Sequence, residues 1–185
     1  MTGSLEAALR YRNRHLIDRF VEHYKVSPAE AMEVFGDAKR WLWLNSLPDA
    51  PRLYISAPIL IIDEMWHTFV LFTAAYTAYC ESTFGRYMHH RPTTESEKRR
   101  SEREAARDPA GFARRRRRQL EKQYRFIAEH LGPATLRRWY VEYLLRYDRA
   151  FFARLGIELP DFAPEVAERL AELRDEPAAA GSATT

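Results

Sequence analysis

The chain has 185 residues, 46% hydrophobic and 13% aromatic, which suits one domain with tails and a bulky buried core rather than two full domains. A net charge of only +3, with 30% of residues charged, points at most weakly to a nucleic-acid binder, because the basic character is local rather than global. The single cysteine, Cys80, excludes an internal disulfide and any multi-cysteine zinc site.

Apolar positions Leu5, Leu9, Leu16, Phe20 and Tyr24 recur at helical spacing over residues 5–24. The opening stretch carries no apolar signal-peptide core, and the longest apolar run, residues 57–62, is far below the ~20 residues of a membrane span. The expectation is a cytoplasmic protein with no membrane partner. A second helix announces itself with Ser27 as N-cap, Pro28 at the first helical position and Glu30 completing a capping box. It is expected to run to about Asn45 with Phe35, Trp41 and Leu42 inside. Leu47-Pro48-Asp49-Ala50-Pro51 breaks the pattern, and residues 52–58 read as irregular.

The next helix is expected from about Leu60 to Phe84, closed by Gly85 as C-cap, with a loop from Arg86 to Thr94. Residues 95–107 are nearly all charged and read as a linker or an exposed helix. Asp108-Pro109 opens a helix to about Leu131, broken at Gly132-Pro133, and an aromatic-rich helix follows from about Ala134 to Leu155. A short helix after Pro164 and a disordered tail over 177–185 complete the reading. The expected fold is all-α: a single-domain, irregular bundle of about six helices. Residues 1–94 carry the chemistry, and residues 108–176 pack on the same domain.

Chemistry concentrates between Asp63 and Pro92, in IDEMWHTFVLFTAAYTAYCESTFGRYMHHRP from Ile62. Asp63 and His67 are four apart and share a helix face, so they suit a carboxylate–histidine metal site or a hydrogen-bonded pair. His89 and His90 are adjacent in a loop, where neighbouring side chains point opposite ways, so only one can face a given site. Cys80 lies thirteen positions after His67, about 20 Å along a continuous helix and on another face, so it reads as buried packing with Tyr76 rather than as a nucleophile.

The segment resembles the core motif of the glycine-rich domain-containing protein-like family. That motif is Asp, three residues and a His preceded by Trp, then a Tyr, a small residue, Phe-Gly and a turn containing His. The matching residues are Asp63, Trp66, His67, Tyr76, Cys80, Phe84, Gly85, His89 and His90. The resemblance implies a domain without an assigned activity, with Trp66, Tyr76, Cys80 and Gly85 in supporting roles. Two departures stand out. Phe69 occupies a position where many members carry a second His, and the glycine-rich tail is absent from a chain with 7 Gly.

Distance sets a test for the candidate ligands. An unbroken helix from His67 to Phe84 rises about 25 Å, and the five residues on to His89 span at most about 18 Å. A shared site is therefore easy only if the helix stops early or another helix contributes, His15 and His23 being the nearest candidates in sequence. The first reading is a small metalloprotein holding zinc or iron on Asp63, His67 and one of His89 or His90, with an open position for hydrolytic or oxidative chemistry on a small molecule or peptide. Its rival is an interaction or adaptor module in which the motif is a structural knot. The run Arg114–Arg118 reads as a solvated helix face, since acidic residues offset it and aromatic interleaving is lacking; nucleic acid is the minority partner.

Overall fold

A computed structural model describes residues 3–157. The expected helix after Pro164 and the tail over 177–185 lie outside the described residues. The described residues are helical and contain no strand, as the periodicity predicts.

Two short helices replace the expected continuous one over 5–24: α1 (Leu5–Arg10) and α2 (Arg14–Tyr24). The break has a local cause. The Asn13 side chain accepts the Leu16 amide at 3.1 Å and so caps a new helix. The Leu9 and Tyr11 carbonyls, freed by the break, accept from the Lys39 ammonium at 3.1 and 2.9 Å. Helix α3 (Pro28–Ser46) begins with the capping box read from the sequence, both halves present. It is the central helix, packed against α1 and α2 and against the helices that follow. Its buried residues include Phe35, Trp41 and Leu42.

An irregular stretch and a short 3-10 turn (Ala57–Ile59) lead into α4 (Leu60–Leu71) and α5 (Thr73–Phe84). The expected single helix over 60–84 is thus corrected: the chain turns by 106° at Phe72. Neither Gly nor Pro causes the turn. Phe72 leaves helical geometry at φ −86, ψ 59, and its carbonyl accepts the Tyr76 amide at 2.8 Å to start α5. A straight α5 would carry Tyr76, Tyr79, Cys80 and Phe84 out of the domain, whereas all four are buried. Burying a large apolar side chain contributes about 1.5–3 kcal/mol, and a lost helical hydrogen bond costs about 1 kcal/mol, so tertiary packing wins over helix continuity. Among the described residues no single helix is long and apolar enough to cross a membrane.

Helix α6 (Glu95–Arg107) buries none of its residues and pairs with α7 (Pro109–Leu131). The expected helix over 134–155 is also corrected. It divides into α8 (Pro133–Arg137), a π turn (Arg138–Glu142), α9 (Tyr143–Arg146) and α10 (Arg149–Ala153). The π turn has a packing reason. Residues five apart project about 140° apart on an α-helix. An i→i+5 bond, here from the Tyr143 amide to the Arg138 carbonyl, brings them to one side. Arg138 and Tyr143 then both reach the carboxylate of Asp37 on α3.

Candidate metal centre

The bend at Phe72 decides which candidate residues meet. Because α5 runs back across α4, the segment after Gly85 returns to the first turns of α4. Gly85 ends α5 in the left-handed region at φ 69, a conformation that glycine adopts without strain. His90 then lies beside Asp63, with Nε2 at 3.0 Å from Oδ1. His67, one turn along α4, places Nε2 at 3.8 Å from the other oxygen, Oδ2. The two imidazole rings are 4.4 Å apart. One ligand atom from each of Asp63, His67 and His90 falls within 4.8 Å of the others.

The remaining candidates sit elsewhere. His89 is exposed and turns its ring to Tyr87, as expected for the second member of an adjacent pair. His15 and His23 are exposed on α2 and outside the cluster. Phe69 is fully buried and ringed by Tyr11, Phe35, Tyr76 and Tyr79, so in this chain that position belongs to the aromatic core.

A buried relay holds the return segment. The Trp66 indole N–H donates to the Tyr76 hydroxyl at 2.8 Å, and that hydroxyl donates to the Met88 carbonyl at 2.6 Å. Trp66 also meets the His90 ring edge-on at 4.3 Å. Trp66 and Tyr76, two of the residues read as supporting the motif, thus tie α4, α5 and the histidine turn into one unit. Cys80 is fully buried beneath them, and burial pushes its thiol up, away from the reactive thiolate.

Glu64 is a neighbour that reasoning from the sequence missed. Its Oε2 lies 3.7 Å from His67 Nδ1 and accepts from the Tyr24 hydroxyl at 2.5 Å. Burial pushes the Glu64 carboxyl up, but His67 and Tyr24 outweigh it and hold the group below its usual value. Glu64, opposed by burial and helped by Asp63, raises the His67 imidazole above its ordinary value. The signal was present: Glu64 is three residues before His67, a spacing that meets across a helix face as readily as four.

Access differs around the cluster. The His67 side chain is 47% exposed, against 17% for Asp63 and 16% for His90, so the site opens to solvent on the His67 side.

A family model described as UCP032817-like matches residues 8–139, most of the chain. The chain belongs to the UCP032817-like family. No curated protein and no solved structure matches it. The UCP032817-like region runs from within α1 into the start of the π turn and so includes Asp63, His67, His90 and their supports. The family description names no activity.

Proposed function

We propose that this UCP032817-like protein binds a first-row divalent metal, zinc or iron, through Asp63, His67 and His90. The observation that carries the reading is the convergence of one carboxylate and two imidazoles from separate segments within 4.8 Å. Two histidines and one carboxylate are a recurrent donor set for catalytic zinc and for non-haem iron, and they leave a coordination position open. The resemblance of Asp63 to His90 to the glycine-rich domain-containing protein-like motif supports treating these residues as one unit.

The donor set fits such an ion with a small adjustment. Ligand atoms about 2.0–2.1 Å from a tetrahedral metal lie about 3.4 Å apart, so the cluster must contract by roughly an ångström. His67, half-exposed, is the side chain free to make that movement. Glu64 lies against His67 Nδ1 and orients the ring so that Nε2 faces Asp63. A bound metal would supply an electrophilic centre open to solvent on one side, suited to hydrolytic or oxidative chemistry.

A second reading has its own observation. His90 already bonds Asp63, and the Trp66–Tyr76–Met88 relay is complete without any ion, which suits a structural knot in an interaction module. Elemental analysis and zinc or iron(II) titration of the purified protein separate the two. The metal reading expects one equivalent of metal, a melting temperature lowered by chelation, and loss of binding in Asp63→Ala and His90→Ala. No metal, no response to chelator, and destabilisation by more than about 1 kcal/mol in His90→Ala would favour the knot.

A further inference from the structure

A cleft of about 690 Å³ lies on another part of the molecule, between the α1–α2 turn and α3, and shares no residue with the Asp63 cluster. That volume is in the range of small-molecule sites. Its polar lining is almost all cationic: Arg12, Arg14, Lys39, Arg40 and Arg138, against one carboxylate, Glu33. Glu33 is already held by Arg146 at 2.9 Å. Arg14 faces Asp18 at the surface, and Arg40 and Arg138 share the single carboxylate of Asp37.

Arg12 and Lys39 have no carboxylate partner among the described residues. Both donate to the same two carbonyls, those of Leu9 and Tyr11. Sharing those acceptors puts two positive charges within about 6 Å of each other, a repulsive arrangement. Lys39 is only 3% exposed, and a buried cation ordinarily has a partner. Burial, with Arg12 and Arg40, pulls its ammonium down to about 8. Two of its three protons are used by the carbonyls, and among the described residues the third has no hydrogen-bond acceptor, the ammonium lying 4.6 Å over the Phe35 ring. Gly36 also lines the cleft, and a Cβ there would stand 3.1 Å from Arg40 Nη1. Beside Asn13, the rest of the lining is apolar: Leu9, Ile17, Phe35 and Met32, the last 58% exposed despite its hydrophobic side chain.

We propose that this cleft binds a small phosphate-bearing molecule, its phosphate held by Arg12, Lys39 and Arg40 and its apolar body laid against Ile17, Met32 and Phe35. Three converging cations match a dianion better than a monocarboxylate, because the charge they leave uncompensated exceeds one. Arginine forks suit phosphate oxygens, and the free lysine proton adds a point charge.

Calorimetric titration of the full chain tests this at constant ionic strength, with phenyl phosphate, inorganic phosphate and benzoate as probes. Phenyl phosphate is expected to bind most tightly, using both halves of the cleft, and inorganic phosphate more weakly. Arg12→Gln is expected to weaken phenyl phosphate binding about tenfold or more, and Lys39→Met to abolish it. Should Lys39→Met fail to fold, the exposed Arg12 variant carries the test. Absence of binding by phenyl phosphate, unchanged affinity in Arg12→Gln, or equal binding of benzoate would overturn the assignment. Asp63→Ala is expected to leave phenyl phosphate binding unchanged, so the fate of the metal reading does not enter the result.

Discussion

Two aspartates on neighbouring helices show how burial and partners separate a structural carboxylate from a reactive one. Asp37 on α3 is fully buried, and four donors saturate its two oxygens: Arg40, Arg138 twice, and the Tyr143 hydroxyl. No lone pair is left for a ligand, and the π turn exists to deliver two of the partners. Asp63 on α4 is 17% exposed and has one hydrogen bond, from His90 to Oδ1. Its Oδ2 has no hydrogen bond among the described residues, His67 Nε2 standing 3.8 Å away, too far for one. Asp37 is a closed knot, and Asp63 retains spare capacity beside two imidazoles.

The strongest way to break this contrast is to cut the knot. Asp37→Ala would take from the Arg138 guanidinium its carboxylate and leave the Tyr143 hydroxyl only its longer bond to Glu33 Oε1 at 3.4 Å, and removing one partner of a buried ion pair costs about 3–5 kcal/mol. Urea denaturation should show that loss, with metal stoichiometry of the folded fraction unchanged. A loss below about 1 kcal/mol would mean that the π turn is not held by Asp37.

Next in size is Tyr76→Phe, which strands the Trp66 indole N–H and the Met88 carbonyl in the core. The expected cost is about 1–3 kcal/mol, accompanied by a roughly 10–100-fold fall in metal affinity as the histidine turn loosens. Unchanged metal affinity at lowered stability would detach the relay from the site.

His67→Ala should do the reverse. The side chain is half-exposed, so the stability loss should stay below about 1 kcal/mol, while titrations should show metal binding gone. A large loss of stability would instead place His67 with the knot.

A third carboxylate, Glu97, marks the mildest end of the scale. It caps α6 by accepting the Thr94 amide at 2.9 Å, and that bond, with the Thr94 hydroxyl and Arg91, lowers its pKa to about 2. A depressed carboxyl stabilises the folded form above its ordinary value near 4.5, and that contribution fades as pH falls from there through about 2. The Thr94 amide resonance should therefore titrate with a midpoint near 2. A midpoint near the ordinary value would show that the capping box is not formed in solution.

How much of this was legible in the sequence follows from which forces are local. Capping at Ser27, the stop at Gly85 and the Asp63–His67 face are set within a few residues and could be read directly. Phe72 could not, because nothing in TFVLFTAAY marks a stop; the turn comes from burying a tyrosine face against helices distant in sequence. The meeting of His90 with Asp63 depends on that turn and was legible only as a condition. The role of Asp37 is not legible there, because Arg40 alone of its partners is local and the other two lie 101 and 106 residues away, reaching it through a π turn. Glu64 is legible by spacing alone, three residues before His67.

The bend at Phe72 also makes the length of α5 part of the chemistry. Between that corner and Gly85 the chain has a fixed count of residues, and Tyr76 and His90 are set by that count as a key's teeth are set by its shoulder. Adding or deleting one residue within 73–84 would swing every later side chain about 100° around the helix and carry Tyr76 or His90 out of reach of α4. Length variation among related chains is therefore expected in the irregular stretch ahead of Tyr54, whose backbone Gln123 holds at 2.8 and 2.9 Å, and not between the corner and Gly85.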